Sequence, residues 1–334
     1  MRVCKFQLHI EPKEPIILPL YKGSTLRGGF GVAFKKIVCA LKDKECSGCI
    51  LKEQCVYSYV FETPPPAGAK VMRKYPAVPH PFVIEPPPEK RTGYTPSHEI
   101  AFGLILIGKA VDFLPYFVYT FDELGNIGLG KGRGKYQLKS VSQVQTAPLP
   151  IAHCHAAFPV QGETTIYSSE TRKLSTFSPE DLPIDIEPPD DSHPETSILT
   201  LKFLSPTRIF FKDNLTDDFQ FHVLIRQLLR RISMLSYFHC GNDTSDWDFK
   251  GLIEKATGVT IKNKNLTWYN WQRYSARQDQ KIDMGGFVGN ITYEGNLAPF
   301  LSLIKAGETL HVGKGTTFGL GKYEMLIHEE LTDG

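Results

Sequence analysis

A chain of 334 residues, 41% of them hydrophobic, is long enough for two cores and too apolar to be disordered. Its net charge of +2 excludes a polycation that binds nucleic acid by charge alone, so any such role must rest on where the basic residues cluster. Met1 to Lys5 carries no apolar signal region, and the most apolar long run, 100–121, contains Lys109 and Asp112. The expectation is a cytoplasmic protein without a membrane span.

In chain order, Val3 to Ile10 alternates as a strand, and Pro12 and Pro15 break it before a helix that starts near Ser24. Phe30, Phe34, Ile37, Val38 and Leu41 recur at helical spacing, which leaves Arg27, Lys35 and Lys36 off the buried stripe. That basic face is either an ordinary solvated surface or an RNA contact.

Cys39, Cys46, Cys49 and Cys55 follow, four of the seven cysteines within seventeen positions. In a reducing compartment such crowding more often holds a metal than forms disulfides. Cys46-Ser47-Gly48-Cys49 has knuckle spacing for a tetrahedral structural zinc; an iron–sulfur cluster uses the same ligands, and four reduced thiols packing as small apolar groups is the plain alternative.

Val56 to Phe61 reads as a strand, and the proline clusters at 64–66 and 86–88 frame exposed loops around Phe82-Val83-Ile84. Ile100 to Ile107 is a further strand, and Val111 to Leu124 a helix or irregular apolar run interrupted by Pro115. A glycine loop with Lys131 and Arg133 then leads into a strand from Tyr136. The resulting order, βαββαβ, is the ferredoxin-like pattern also used by RNA-recognition domains.

Residues 146–195 are rich in proline, serine and acid and read as a linker with a possible hairpin, so the domains are expected at 1–145 and 196–334. In the second half Ile198 to Leu204 is a strand, and Asp217 with Gln220 forms a capping pair for a helix buried through Phe221, Leu224, Ile225, Leu228, Ile232 and Leu235. His222, Arg226 and Arg230 lie on its other face. Leu252 to Ala256 is a short helix, Leu266 to Ser275 and Gly289 to Tyr293 are strands, Pro299 to Lys305 a helix, and Tyr323 to Ile327 the last strand. Between Trp268 and Tyr274 aromatics alternate with polar residues; half face a core, and Arg273 and Arg277 are the RNA-contact candidates.

The second half also carries its own glycine loop, 311–323. Gly319-Leu320-Gly321-Lys322-Tyr323 repeats the Gly-x-Gly-basic-Tyr that ends Gly128-Leu129-Gly130-Lys131-Gly132-Arg133-Gly134-Lys135-Tyr136 in an equivalent place, which marks a duplicated domain. Glycine there permits positive φ and close approach of N–H groups to phosphate, so Gly313, Lys314, Gly315, Gly319 and Gly321 are read as RNA-binding; a tight turn into the last strand is the plainer account.

Tyr21 to Gly31, the cysteine cluster, Arg273-Tyr274-Ser275, Gly285-Gly286-Phe287 and the last glycine loop together resemble CRISPR-associated pre-crRNA-processing endoribonucleases of the RAMP superfamily, over nearly the whole chain. The resemblance implies an α+β protein of two tandem ferredoxin-like domains, here with a cysteine-rich metal-knuckle insertion in the first. It also implies binding of CRISPR repeat RNA in the precursor transcript, and cleavage needing no cofactor that leaves a 2′,3′-cyclic phosphate and a 5′-hydroxyl. Other CRISPR effector subunits are further expected partners, as a monomer or homodimer. Many members place a histidine on or near the first helix, but no histidine lies between Ile10 and Pro79. The acid–base candidates are therefore His222, His239 and Tyr237 on the second-domain helix, although His239 leans toward its apolar stripe. His311 enters the glycine loop and is placed to touch phosphate. A non-catalytic RAMP subunit that holds mature crRNA is the alternative function.

Overall fold

The computed structural model describes residues 1–42, 45–72, 75–145, 162–184, 196–216, 218–275 and 279–328. The chain forms two compact units, Arg2–Asp181 and Leu182–Gly334, the latter together with Met1.

In the first unit β1 (Arg2–Pro12) alternates buried and half-buried residues, as a strand with one face on a core requires. A two-residue strand β2 (Ile16–Ile17) leads to helix α1 (Gly23–Val38), which buries Leu26, Phe30, Gly31, Ala33 and Phe34. Then come β3 (Phe82–Glu85), β4 (Gly93–Tyr94), which pairs with β2, and β5 (Ile100–Ile107). Helix α2 (Leu114–Ile127) and β6 (Tyr136–Val144) complete the repeat. The antiparallel order β3-β5-β1-β6 is that of a βαββαβ ferredoxin-like unit, with Leu8 between Phe102 and Val141. Its core is aromatic: the Phe30 ring lies 4.9 Å from Phe34, 4.9 Å from Phe117 and 5.1 Å from Phe121. Such pairs contribute about 0.5–1.5 kcal/mol each beyond their buried area.

Two expectations are corrected here. Val56–Phe61 is not a strand: after Cys55 the chain turns helically, with a π-type turn over Ser58–Glu62, and the second strand of the repeat is Phe82–Glu85. All four residues of that strand are buried, the pattern of a strand covered on both faces, which a short apolar run between prolines does not distinguish from a loop. The domain boundary also moves. β7 (Glu163–Ser168) adds to β6, and β8 (Glu180–Asp181) pairs with the start of β1. Gln143 donates to the Ser178 carbonyl at 2.5 Å and Phe177 packs edge-on against Phe6. Residues 163–181 are thus part of the first unit rather than a linker, because their backbone groups complete its sheet.

The second unit repeats the plan. β9 (Thr196–Thr207) is followed by a small ribbon, β10 (Phe210–Phe211) with β11 (Asn214–Leu215), and by α3 (Phe221–Leu235). A short helix α4 (Phe249–Lys255), β12 (Thr260–Tyr269), a hairpin of β13 (Gln272–Ser275) and β14 (Gln280–Asp283), and β15 (Gly286–Asn296) follow. Helix α5 (Leu301–Leu310) and β16 (Tyr323–His328) close it, with order β12-β15-β9-β16. The six apolar residues expected inside α3 are all buried. Its N-cap, Gln220, makes no side-chain capping bond, and Asp217, the other half of the expected pair, lies outside the described residues. No helix among the described residues is long and apolar enough to cross a membrane.

Candidate active site and nucleic-acid interface

The most chemically loaded cluster of the first unit forms beside α1. Gly31 leaves room on the helix for the ring of Phe61, which a side chain at position 31 would strike. The Arg27 guanidinium lies over that ring at 4.2 Å, and His80 flanks it at 6.5 Å and Phe82 at 6.1 Å. His80 is held there by backbone: Thr63 ends the π-type turn in the left-handed region, its carbonyl accepts the Val78 N–H at 2.9 Å, and its hydroxyl lies 2.5 Å from His80 Nδ1. The Thr63 hydroxyl also donates to the Val60 carbonyl at 3.2 Å. With its one proton engaged, Thr63 accepts from Nδ1–H, and this assignment leaves Nε2 as the basic nitrogen of the ring. Lys35 sits 5.5 Å from the centre of the neighbouring Tyr57 ring, and burial raises the Tyr57 phenol well above its usual pKa. Half-buried Arg27 and His80 thus share one aromatic platform, an arrangement suited to holding a phosphate next to an imidazole. Lys36 is exposed farther along α1.

His80 is the functional candidate that sequence reasoning passed over. It lies far from α1 along the chain, and only the return of the polypeptide through Thr63 and Val78 brings it there.

The second-unit candidates separate. Arg226 and Arg230 are exposed on α3, and Tyr237 is half-buried edge-on to Phe238. His239 is only 5% exposed, which removes it from contact with a large substrate. His222 is half-buried against Phe211. Phe211 belongs to a basic and aromatic ribbon, Arg208-Ile209-Phe210-Phe211-Lys212, which sequence reasoning did not single out. Lys314 stands 4.0 Å over the Phe210 ring and Lys212 is 5.4 Å from Phe211. Arg208 donates to the Gly285 carbonyl, and burial lowers its pKa. Exposed cations over aromatic faces suit an unpaired nucleotide. Arg273 is half-buried 5.1 Å from the Phe318 ring, so it packs the hairpin onto the glycine loop rather than standing free for RNA; Arg277 lies outside the described residues.

The glycine loops are built against their own chain. A Cβ on Gly321 would collide with the Val312 carbonyl, and one on Gly130 with that of Ile17. Some of the loop N–H groups are spent internally: Lys131 donates to Ile17, Lys314 to Arg208, Phe318 to Gly315 and Gly319 to Thr316. Gly319 and Gly321 are buried, so a backbone cradle open to phosphate does not extend to these two, while Gly313 and Gly315 are half-buried. The tyrosines that end the two motifs explain the repetition. Tyr136 donates to the Phe121 carbonyl at 2.7 Å and Tyr323 to that of Ile304 at 2.5 Å, each tying the last strand to the helix before it. His311 is fully buried with Nδ1 3.0 Å from the Leu320 carbonyl, so it braces the loop instead of meeting phosphate. Arg231, buried on α3, donates from Nε to the Leu310 carbonyl at 2.7 Å and secures the same loop from below. What remains outward is charge: Lys131, Arg133 and Lys314 are exposed.

Cys39, Cys46, Cys49 and Cys55 are half-buried, unpaired and line one small cleft.

Residues 1–176 match the family model described as the AF_1859 N-terminal domain, and residues 201–323 match that of the CRISPR-associated endoribonuclease Cas6. An uncharacterized protein of Archaeoglobus fulgidus is 29% identical over 125 residues, which span 37% of this chain and 41% of that protein. A Cas6 product complex shares the fold with a TM-score of 0.56 at 17% identity, covering 97% of this chain and 99% of that one. A partial Cas6-RT-Cas1–Cas2 complex does so with a TM-score of 0.52 at 13% identity, over 98% of this chain and 46% of that one. With more than half of its length matched, the chain belongs to the family described by the AF_1859 N-terminal domain, and its second unit is similar to the CRISPR-associated endoribonuclease Cas6.

Proposed function

We propose that this chain is a metal-independent endoribonuclease that binds CRISPR repeat RNA and cuts the precursor transcript into guide RNAs. The observation that carries the reading is His80 beside the Arg27–Phe61 pair, which supplies the imidazole that the α1 sequence lacks. In this mechanism His80 Nε2 takes the proton of the 2′-hydroxyl, and the 2′-oxygen attacks the adjacent phosphorus. The bond to the 5′-oxygen breaks, and solvent protonates the leaving group. The products are a 2′,3′-cyclic phosphate and a 5′-hydroxyl. Arg27 offsets the charge that develops on the phosphorane, a task in which one well-placed donor contributes about 3–4 kcal/mol. Lys131, Arg133, Arg226, Arg230 and the Lys314–Phe210 ribbon hold the RNA by phosphate contact and stacking.

Brief incubation of the purified protein with end-labelled repeat RNA in EDTA tests this reading. Cleavage to a cyclic-phosphate end is the expected result. Tight binding without cleavage would overturn it and indicate a non-catalytic subunit that holds mature crRNA in an effector complex.

A further inference from the structure

The segment 39–55 joins the end of α1 to the helical turn that carries Tyr57 and Phe61, and its described residues contain no strand or helix. Its aliphatic side chains do not hold it in place, because Leu41 is 48%, Ile50 88% and Leu51 39% exposed. Its inward side chains are its cysteines: Cys46 and Cys55 pack against the core of the first unit. Cys39 follows the last turn of α1, where its N–H bonds the Lys35 carbonyl. Cys46 and Cys49 bracket a turn closed by the Cys49 N–H to the Cys46 carbonyl at 3.3 Å, and Cys55 accepts the Tyr59 N–H at 2.9 Å as the next turn begins. All four sulfur-bearing residues line the same cleft, with Lys52 and Glu45, around a space of about 10 Å³. That is room for about one water-sized particle.

We propose that Cys39, Cys46, Cys49 and Cys55 bind one structural zinc ion as four thiolates. A short segment without a buried apolar face needs a staple, and tetrahedral thiolate coordination supplies one with Zn–S bonds of about 2.3 Å. Among the described residues no group of three His, Cys, Asp or Glu side chains yet stands at ligating spacing, so the thiols turn inward to close on the ion. Each loses its proton to solvent as it binds. The fourfold thiolate site carries excess negative charge, which Lys52 at the cleft offsets. The ion fixes the turn that presents Phe61, but the proposal stands independently of any ribonuclease activity.

The test is metal analysis of full-length protein produced with both zinc and iron in the medium and none added later. About one zinc per chain is expected, released when an organomercurial titrates the thiols and detected by a colorimetric zinc indicator. The Cys46→Ser/Cys49→Ser variant should lose the metal. Should that variant fail to fold, wild-type protein decides alone: these four thiols should resist a thiol reagent until the zinc is removed. Folded protein without metal, iron with a sulfide chromophore in place of zinc, or immediate reaction of all four thiols would overturn the proposal.

Discussion

The Arg27 guanidinium and the His80 ring both lie against one side chain, at 4.2 and 6.5 Å from the centre of Phe61. Cation and imidazole therefore depend on the same platform but do different work. His80→Ala should slow single-turnover cleavage by about 10²–10⁴-fold with repeat-RNA affinity nearly unchanged. Arg27→Ala should slow single-turnover cleavage by about 10²–10³-fold, because it removes charge from the phosphorane, and should also weaken binding and lower the slope of log affinity against log salt by about one. Normal cleavage by the His80 variant would move the base elsewhere, with half-buried His222 next to be tried.

Gly31 and Gly28 lie on the same helix with opposite surroundings. A Cβ at position 31 would strike the Phe61 ring, whereas at position 28 it meets nothing within 4 Å. Gly31→Ala should therefore destabilise the fold by about 1–3 kcal/mol and impair cleavage as Phe61 is displaced. Gly28→Ala should stabilise by about 0.4–1 kcal/mol, since the helix tolerates alanine and the unfolded chain loses freedom. Thermal denaturation of the two variants side by side reads both signs.

In the second glycine loop, folding and binding are separable. Gly321→Ala should lower the melting temperature, because its φ of +75° and the Val312 carbonyl leave no place for a methyl group. Lys314→Ala should leave the melting temperature within error and reduce RNA affinity, since it removes only an exposed cation over Phe210. Equal effects of the two on affinity in folded protein would return the loop backbone to the RNA site.

Cys4 gives a pH signature. Burial raises its thiol pKa from 9.0 to about 11. The unfolded chain therefore loses this proton first, so the stability gained by keeping the thiol neutral is complete below pH 9 and declines as pH rises toward about 11. Urea unfolding across that window should show a steeper alkaline loss for the wild type than for Cys4→Ala, whose lower baseline reflects lost packing. Parallel profiles would assign the alkaline loss to other groups.

The sequence by itself determined what depends on near neighbours. Phe30 and Phe34 of the α1 stripe, the six buried residues of α3, the repeated βαββαβ order and the leaning of His239 toward the core follow from periodicity, which a helix or strand converts directly into one buried face; Leu41, expected on the same stripe, lies past the end of α1 and is exposed. The tyrosine-ended glycine motifs were legible as a repeat, but not their role, since whether a glycine faces a phosphate or its own carbonyl is set by what packs opposite. The second strand and His80 lay beyond reach for the same reason. Phe82–Glu85 is a strand because β5 pairs with it, and His80 adjoins α1 because Val78 bonds to Thr63. Such contacts join residues distant in sequence, leave no local period, and form only when the sheet closes over the helix.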